Sequence, residues 1–270
     1  MRFRSPGLLA GLALGLVLAA CSGSAPATST RPPDAGLTIY AAASLKGALE
    51  EARTAFESAN PGTTLTISTD SSAALETQIE QGAPADVFLS ADTANPAKLV
   101  AAGLAEGDPV TFAGSELAIV VPAANPARIT APADLARPGV KIIAAGNKVP
   151  LTAYATTLVQ NLAASAGAPA GFTDGYAANI VSREDNAKAV LAKVGLGEGD
   201  AGIVYATDAK GSSGVTRIDV PAGANVLTKY DAVVVKSSRN ITAARAFLGW
   251  LAGPGGQAIL GRLGFLPPPS

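Results

Sequence analysis

The amino-acid sequence predicts an α/β fold in which two lobes each hold a mainly parallel sheet flanked by helices. Short β-branched runs alternate with segments whose apolar residues recur at helical spacing, which is the pattern of parallel strands joined by helices. The 270 residues suit two lobes better than one very wide sheet. We find no internal sequence repeat and no coiled-coil heptads. A crevice between two lobes is a common place for a small ligand.

The first strand and helix show this pattern clearly. Residues 37–40 are strand-like, and Leu45, Leu49 and Phe56 then recur at helical spacing until Asn60-Pro61-Gly62 ends the helix. Further strands are predicted at residues 65–67, 86–90, 117–121, 140–144, 202–205, 215–219 and 232–235. Further helices are predicted at residues 75–81, 97–102, 152–166, 186–194 and 241–251.

Composition excludes several functional classes. The chain has no His and one Cys, so Ser-His-Asp triads, His-based zinc sites, disulfide scaffolds and CxxC redox motifs are ruled out. Its formal net charge of −1 offers no basic surface for nucleic acid. Without a GxSxG elbow or another nucleophile system, we expect neither an enzyme nor a cofactor. What is left is a fold that acts through oxygen and amide groups.

The N-terminus predicts an export signal. Arg2 and Arg4 precede an apolar stretch that is too short to span a bilayer comfortably. The segment Leu18-Ala19-Ala20-Cys21 resembles a bacterial lipobox, in which the cysteine is lipidated and becomes the new N-terminus. A plain signal peptide cleaved elsewhere, with Cys21 incidental, is the alternative.

A tether is predicted to follow the signal. We assign residues 1–20 to a lipoprotein signal peptide and residues 21–35 to a flexible segment, because Ser, Thr, Ala, Pro and Gly dominate it and cannot bury enough surface to fold. A lipid on Cys21 would hold the body at the outer face of a bacterial cell membrane, or in the periplasm, without inserting it.

Two strand-to-helix turns have chemistry suited to an anion. In such sheets, ligands bind beyond the carboxyl ends of the strands. The first turn places Ser44 at the predicted N-cap of the helix that contains Leu45, and the second places Ser72 ahead of the helix that contains Leu75. Each offers a hydroxyl beside free backbone N–H groups at the positive end of a helix. Ordinary helix capping by these serines is the alternative.

Other polar residues have simpler interpretations. Glu184, Asp185 and Asp208 lack the dense oxygen-ligand spacing of a cation loop, so we interpret them as solvated helix starts. Residues 195–199 lack the Lys-Ser/Thr that follows a phosphate loop, and we interpret them as a helix C-cap and turn. Taken alone, Tyr205 is an aromatic residue at a strand end.

Four segments match a known pattern in order and spacing along nearly the whole chain after the signal. They are Thr38-Ile-Tyr-Ala-Ala-Ala-Ser-Leu45, Gln78-Ile-Glu-Gln-Gly-Ala-Pro-Ala-Asp-Val-Phe-Leu-Ser-Ala-Asp92, Gly202-Ile-Val-Tyr-Ala-Thr-Asp-Ala209, and Gly253-Pro-Gly-Gly-Gln-Ala-Ile-Leu260 with Gly264-Phe265. Together they resemble the periplasmic molybdate-binding proteins of ABC transporters. The first two segments are the most specific, whereas many extracytoplasmic solute-binding proteins end similarly. The resemblance implies a two-lobed type II periplasmic binding protein fold, in which the chain crosses twice between the lobes and a tetrahedral oxyanion lies in the cleft.

The resemblance also implies a set of ligand-binding residues. Hydroxyls, backbone amides and one phenol would bind the molybdate oxyanion, and they come from Ser44, Ser72, Leu151, Ala187 and Tyr205. Four side chains depart from the family pattern, at Ala73, Leu151, Thr152 and Ala187. Backbone amide donors survive such changes, so the site is expected to be kept.

The function implied is capture of molybdate, and of tungstate, with delivery to the membrane subunits of an ABC permease by a monomeric receptor. A receptor for sulfate or another small solute is the alternative within this fold, and an adhesin or scaffold lipoprotein is a second. The predicted lobes are residues 36–115 with 226–270, and residues 116–225. A donor cage would reject protonated phosphate, which brings a donor of its own, whereas selection against sulfate must come from cavity size.

Overall fold

The computed structural model describes residues 35–268, so the predicted signal peptide, Cys21 and the tether up to residue 34 lie outside the described residues. The first sheet consists of β1 (Ala35–Ala42), β2 (Thr63–Asp70), β3 (Val87–Ser90), β4 (Val110–Ser115) and β10 (Thr228–Val234). The second sheet consists of β5 (Leu117–Pro122), β6 (Ile142–Ala145), β7 (Ile180–Glu184), β8 (Ala201–Tyr205) and β9 (Val215–Ile218).

Helices flank both sheets. They are α1 (Lys46–Ala59), α2 (Ser72–Glu80), α3 (Ala94–Ala101), α4 (Pro150–Ala164), α5 (Phe172–Ala178), α6 (Ala187–Gly195), α7 (Ala206–Lys210), α8 (Ile241–Ala252) and α9 (Pro254–Arg262), with 3₁₀ turns at Ala43–Leu45 and Pro132–Ala136. Across residues 35–268, none of these helices is both long and apolar enough to cross a membrane.

The two sheets share one strand order. The first runs β2-β1-β3-β10-β4 and the second β7-β6-β8-β5-β9. In each sheet the first three strands pair in parallel, and the fourth pairs antiparallel with both of its neighbours, so only β10 and β5 run against the rest. The predicted two-lobed α/β fold with mainly parallel sheets is confirmed. The two sheets share this strand order although the sequence contains no internal repeat.

Two crossings join the sheets and are bonded to each other. The chain passes from β4 to β5 through a single residue, and it returns from β9 to β10 through residues 219–227. The Asn225 side chain accepts from the Leu117 N–H and donates to the Leu117 carbonyl, each at 3.1 Å. The Thr228 hydroxyl donates to the Ser115 carbonyl at 2.9 Å. The two crossings therefore act as one double-stranded connection.

The core explains why the central strands were predictable. Every residue of β3, β5 and β8 is buried, because helices cover both faces of each sheet, and these strands are therefore almost continuously apolar. Phe56 packs edge-on against Phe247 at 5.2 Å and against Trp250 at 5.3 Å between ring centroids. These contacts fix α1 to α8 on one face of the first sheet.

Five elements lacked a sequence signal. β7 is a half-exposed edge strand, β4 contains a glycine, and α5 and α7 are short. α9 begins Pro-Gly-Gly, a sequence typical of a turn, but the proline occupies a favourable first helical position. A Cβ on Gly256 would lie 2.2 Å from the Leu251 carbonyl oxygen, so glycine is required there by the close approach of α9 to α8.

Candidate functional site

Ser44 lies in the turn between β1 and α1 and is 6% exposed. A 3₁₀ turn separates the strand from the helix, so Leu45 is the N-cap of α1 and Ala42 that of the turn, both without a side-chain cap. The prediction that Ser44 is an N-cap is therefore wrong. Its Oγ accepts a hydrogen bond from the Tyr230 hydroxyl at 3.2 Å instead. This leaves the Ser44 hydroxyl hydrogen available to an acceptor.

Ser72 is the first residue of α2, two residues after the end of β2, and is 1% exposed. The neighbouring Ser71 is the N-cap, and its Oγ accepts from the Ala74 N–H at 3.2 Å. Ser72 Oγ accepts from the Ala91 N–H at 3.0 Å, just beyond the end of β3. The capping alternative thus applies to Ser71 and not to Ser72. The Ser72 hydroxyl, like that of Ser44, retains a proton to donate.

Leu151 and Ala187 are buried at the starts of two helices of the second lobe. Leu151 is the second residue of α4, and Ala187 is the first residue of α6. The first N–H groups of a helix have no acceptor within it and lie at the positive end of its dipole. Both backbone amides therefore have the character of anion donors.

The start of α6 meets both serine turns of the first lobe. Asn186 caps α6 by accepting from the Ala189 N–H at 3.0 Å, and its Nδ2 donates to Asp70 Oδ1 at 3.4 Å. Asp70 is the last residue of β2, immediately before Ser71. α6 also packs against the 3₁₀ turn that contains Ser44. The structure therefore brings the helix start at Ala187 close to the Ser44 and Ser72 turns.

Tyr205 ends β8 and is the N-cap residue of α7. It is 2% exposed, and its hydroxyl has no hydrogen-bond partner among the described residues. Its ring lies 5.6 Å from that of Tyr230, whose hydroxyl donates to Ser44. Burial, with a smaller contribution from Tyr230, raises the pKa of Tyr205 well above 10, so the phenol is a proton donor at neutral pH. A buried hydroxyl without a partner is costly, so an acceptor beside Tyr205 would gain a hydrogen bond without displacing another one.

Two further polar groups differ from expectation. Asp208 is buried, not a solvated helix start, and one of its oxygens lies 2.7 Å from Lys188 Nζ. Burial outweighs the lysine and raises the pKa of Asp208 to about 6. Glu184 is not a helix start either, because it is the last residue of β7, and its side chain, 11% exposed, pairs with Lys193 at 2.9 Å. Within residues 35–268 no group of three or more Asp, Glu, Cys or His side chains could hold a metal ion.

Two cavities lie beside these residues. One of about 650 Å³ is lined by Ser44 together with Lys188, Asp208 and residues near the end of α9. Another of about 1130 Å³ is lined by residues of both lobes, including Asp70, Ser71 and Asn186. Of the five predicted ligand-binding residues, Ser44 lines the first of these cavities and none lines the second, whereas Leu151 lines a separate cavity of about 60 Å³.

Sequence reasoning missed the residues that connect the site. Tyr230 supports Ser44 from 186 residues away, and Asn186 bonds to Asp70 across 116 residues. Tyr230 is an aromatic residue in a buried strand, which is an ordinary core pattern, so nothing local distinguishes it.

The structure agrees with the interpretation of residues 195–199 as a helix C-cap and turn, because α6 ends at Gly195 and Gly197 has a φ of 76°.

Two α/β lobes joined by a double crossing, with buried neutral donors from both lobes, define a bilobal solute-binding protein. Residues 37–266 match the model of the bacterial extracellular solute-binding protein family, and the chain belongs to that family. The family resemblance inferred from the four sequence segments is thereby confirmed.

Individual relatives cover nearly the whole chain. The molybdate-binding protein ModA of Mycobacterium tuberculosis is 36% identical, covering 96% of this chain and 98% of its own. ModA of Escherichia coli is 31% identical and covers 96% of each chain. The periplasmic molybdate-binding protein of Azotobacter vinelandii superposes with a TM-score of 0.72 at 27% identity, covering 86% of this chain and 100% of its own. The sulfate-binding protein SubI of M. tuberculosis gives a TM-score of 0.76 at 23% identity over 86% of each chain, which shows a shared fold alone.

Proposed function

We propose that this protein is the extracytoplasmic receptor of an ABC transporter and binds molybdate and tungstate between its lobes for delivery to the membrane permease. Its relatives named as molybdate-binding proteins support the ligand class. The observation that carries the proposal is the buried Tyr205 hydroxyl, which has no partner among the described residues and lies next to the Tyr230 that bonds Ser44. A bound oxyanion would supply the acceptor. In this role the protein binds and releases its ligand and catalyses no reaction.

The proposed ligand contacts are hydrogen bonds from neutral groups. The donors are the hydroxyls of Ser44, Ser72 and Tyr205 and the backbone amides of Leu151 and Ala187. A dianion enclosed by neutral donors avoids the desolvation of a second buried charge, provided that each oxygen is bonded. Hydrogen bonds to a charged group contribute about 1.5–3 kcal/mol each, enough together for tight binding.

The donor cage also gives a basis for selectivity. Molybdate and sulfate accept hydrogen bonds only, whereas phosphate near neutral pH carries a proton that needs an acceptor. Discrimination between molybdate and sulfate, which decides between the proposed function and the sulfate-receptor alternative, therefore depends on the size of the anion.

We assign the two faces of the cleft to the lobes formed by residues 36–115 with 226–270 and by residues 116–225.

A thermal-shift series tests this function. Molybdate and tungstate at about 100 times their Kd should stabilise the folded protein by roughly 2.7 kcal/mol, because they bind only that state. Phosphate at the same concentration should cause no shift. Equal shifts with sulfate and molybdate would favour the sulfate-receptor alternative, and the absence of a shift with every oxyanion would contradict a receptor of this kind.

The lipid anchor gives an independent prediction. In a bacterial host, the protein should incorporate labelled fatty acid and partition with membranes, and Cys21→Ser should abolish both, because the thiol is the acylated atom. Ser24→Ala, three residues further along the tether, is the matched control and should be labelled normally. Recovery of mature wild-type protein with an unlipidated N-terminus other than Cys21 would favour the plain signal peptide.

A further inference from the structure

The ion pair between Lys188 and Asp208 is the most deeply buried carboxylate contact beside the proposed site. Lys188 Nζ lies 2.7 Å from Asp208 Oδ1, and the Asp208 side chain is 0% exposed against 38% for Lys188. Beyond Lys188, neither carboxylate oxygen has a donor among the described residues. Burying a carboxylate that has one partner costs desolvation free energy, so stabilisation of the fold does not by itself explain this ion pair.

The pair connects two elements that carry proposed ligand donors. Lys188 directly follows Ala187 at the start of α6. Asp208 is the third residue of α7, the helix that Tyr205 precedes. α7 has five residues and cannot hold its own conformation, so outside contacts must place it. Such contacts include the Ala206 N–H to the Glu116 carbonyl at 2.8 Å, Lys210 Nζ to the Arg262 carbonyl at 2.9 Å, and the Lys188–Asp208 pair.

Asp208 does not attract the ligand, because its carboxylate and the proposed oxyanion are both negatively charged. Its negative charge contributes to raising the pKa of both Tyr205 and Tyr230, so it acts on the two phenols beside Ser44. A negative charge at that place opposes a dianion by ordinary Coulomb repulsion. Lys188 compensates this charge, and what the pair adds is a fixed distance between α6 and α7.

We propose that Lys188 and Asp208 are positioning residues for oxyanion binding, holding the Ala187 amide and the Tyr205 hydroxyl at the spacing that one tetrahedral anion requires. This inference rests on the proposed function. The ligand affinity of an Asp208 variant distinguishes this positioning role from a purely electrostatic one, because the two roles predict changes of affinity in opposite directions. Under positioning, loss of either partner weakens binding. Under electrostatics, loss of Asp208 strengthens it.

The test is isothermal titration of molybdate into the wild-type protein and into Asp208→Asn, Lys188→Met and the double variant at pH 7.5. Each single variant should raise the Kd about 10- to 100-fold, as loss of an orienting partner does at metal sites. The double variant should bind no more weakly than the weaker single variant, because both changes break one contact. Lys188→Arg should restore the Kd to within a few-fold of the wild type.

A matched control and a second variant keep the test decisive. Lys193 lies on the same helix and pairs with Glu184, so Lys193→Met should leave the Kd unchanged. If Asp208→Asn does not fold, Asp208→Glu keeps the charge but displaces it, and it should also weaken binding. Tighter binding by Asp208→Asn, or a lowered Tm with an unchanged Kd, would overturn the inference. A wild-type protein that does not bind molybdate would instead contradict the proposed function.

Discussion

Ser72→Ala is expected to weaken oxyanion binding by about 1–3 kcal/mol, a factor of roughly five to 150 in Kd, because one oxygen of a buried anion loses its donor. The same change should lower the free energy of unfolding by about 1–3 kcal/mol, since the buried Ala91 N–H loses the oxygen that accepts from it at 3.0 Å. Isothermal titration and denaturant unfolding of the same preparation measure the two effects.

The adjacent serine is the control for this experiment. Ser71 caps α2, so Ser71→Ala should cost about 0.5–2 kcal/mol of stability and leave the oxyanion Kd unchanged. The Ser71→Ala and Ser72→Ala variants would then lose similar amounts of stability and differ only in their Kd for the oxyanion. Equal Kd values for the two variants would mean that Ser72 has a structural role alone.

Tyr205→Phe is expected to weaken binding by a similar amount, about 1–3 kcal/mol, with no loss of stability. The reason is that its hydroxyl has no partner among the described residues, so the ligand-free protein loses no hydrogen bond and is relieved of an unsatisfied buried group. Titration with molybdate and thermal unfolding without ligand are the two measurements.

Tyr40 supplies the matching control. It lies in β1 and packs against the smaller apolar cluster around Leu75 and Phe88, so Tyr40→Phe should change neither Kd nor Tm appreciably. An unchanged Kd in both Tyr205→Phe and Ser72→Ala would show that the site carried over from the family is wrong even though the fold is right.

The fold was largely predictable because burial on both faces makes the central strands continuously apolar. Each predicted strand and helix overlaps an observed element. The elements that escaped prediction are those whose conformation is decided by distant contacts. β7 pairs along one side of β6 only. The glycines at the start of α9 look like a turn in the sequence, but Gly255 and Gly256 stand there because a Cβ on either would collide with α8.

The site was predictable only in part, for the same physical reason. The hydroxyl-bearing turns were visible in the sequence, since Ser44 and Ser72 follow strand-like runs. Which of Ser71 and Ser72 caps the helix was not visible, because either side chain is suitable and the choice depends on the Ala91 amide, 19 residues away from Ser72. The support of Ser44 by Tyr230 likewise has no local signature.

The place of β10 in the first sheet determines the order in which the molecule can be completed. β10 lies between β3 and β4, although it is the last strand along the described chain. All five strands of the second sheet lie between residues 117 and 218, so that sheet can form as soon as this stretch has emerged from the ribosome or a membrane channel. The first sheet is complete only when residues 228–234 join it, because β10 pairs with β3 on one side and with β4 on the other. Because Tyr230 lies on that strand, the Ser44 hydroxyl can accept its hydrogen bond only after residues 228–234 have joined the first sheet.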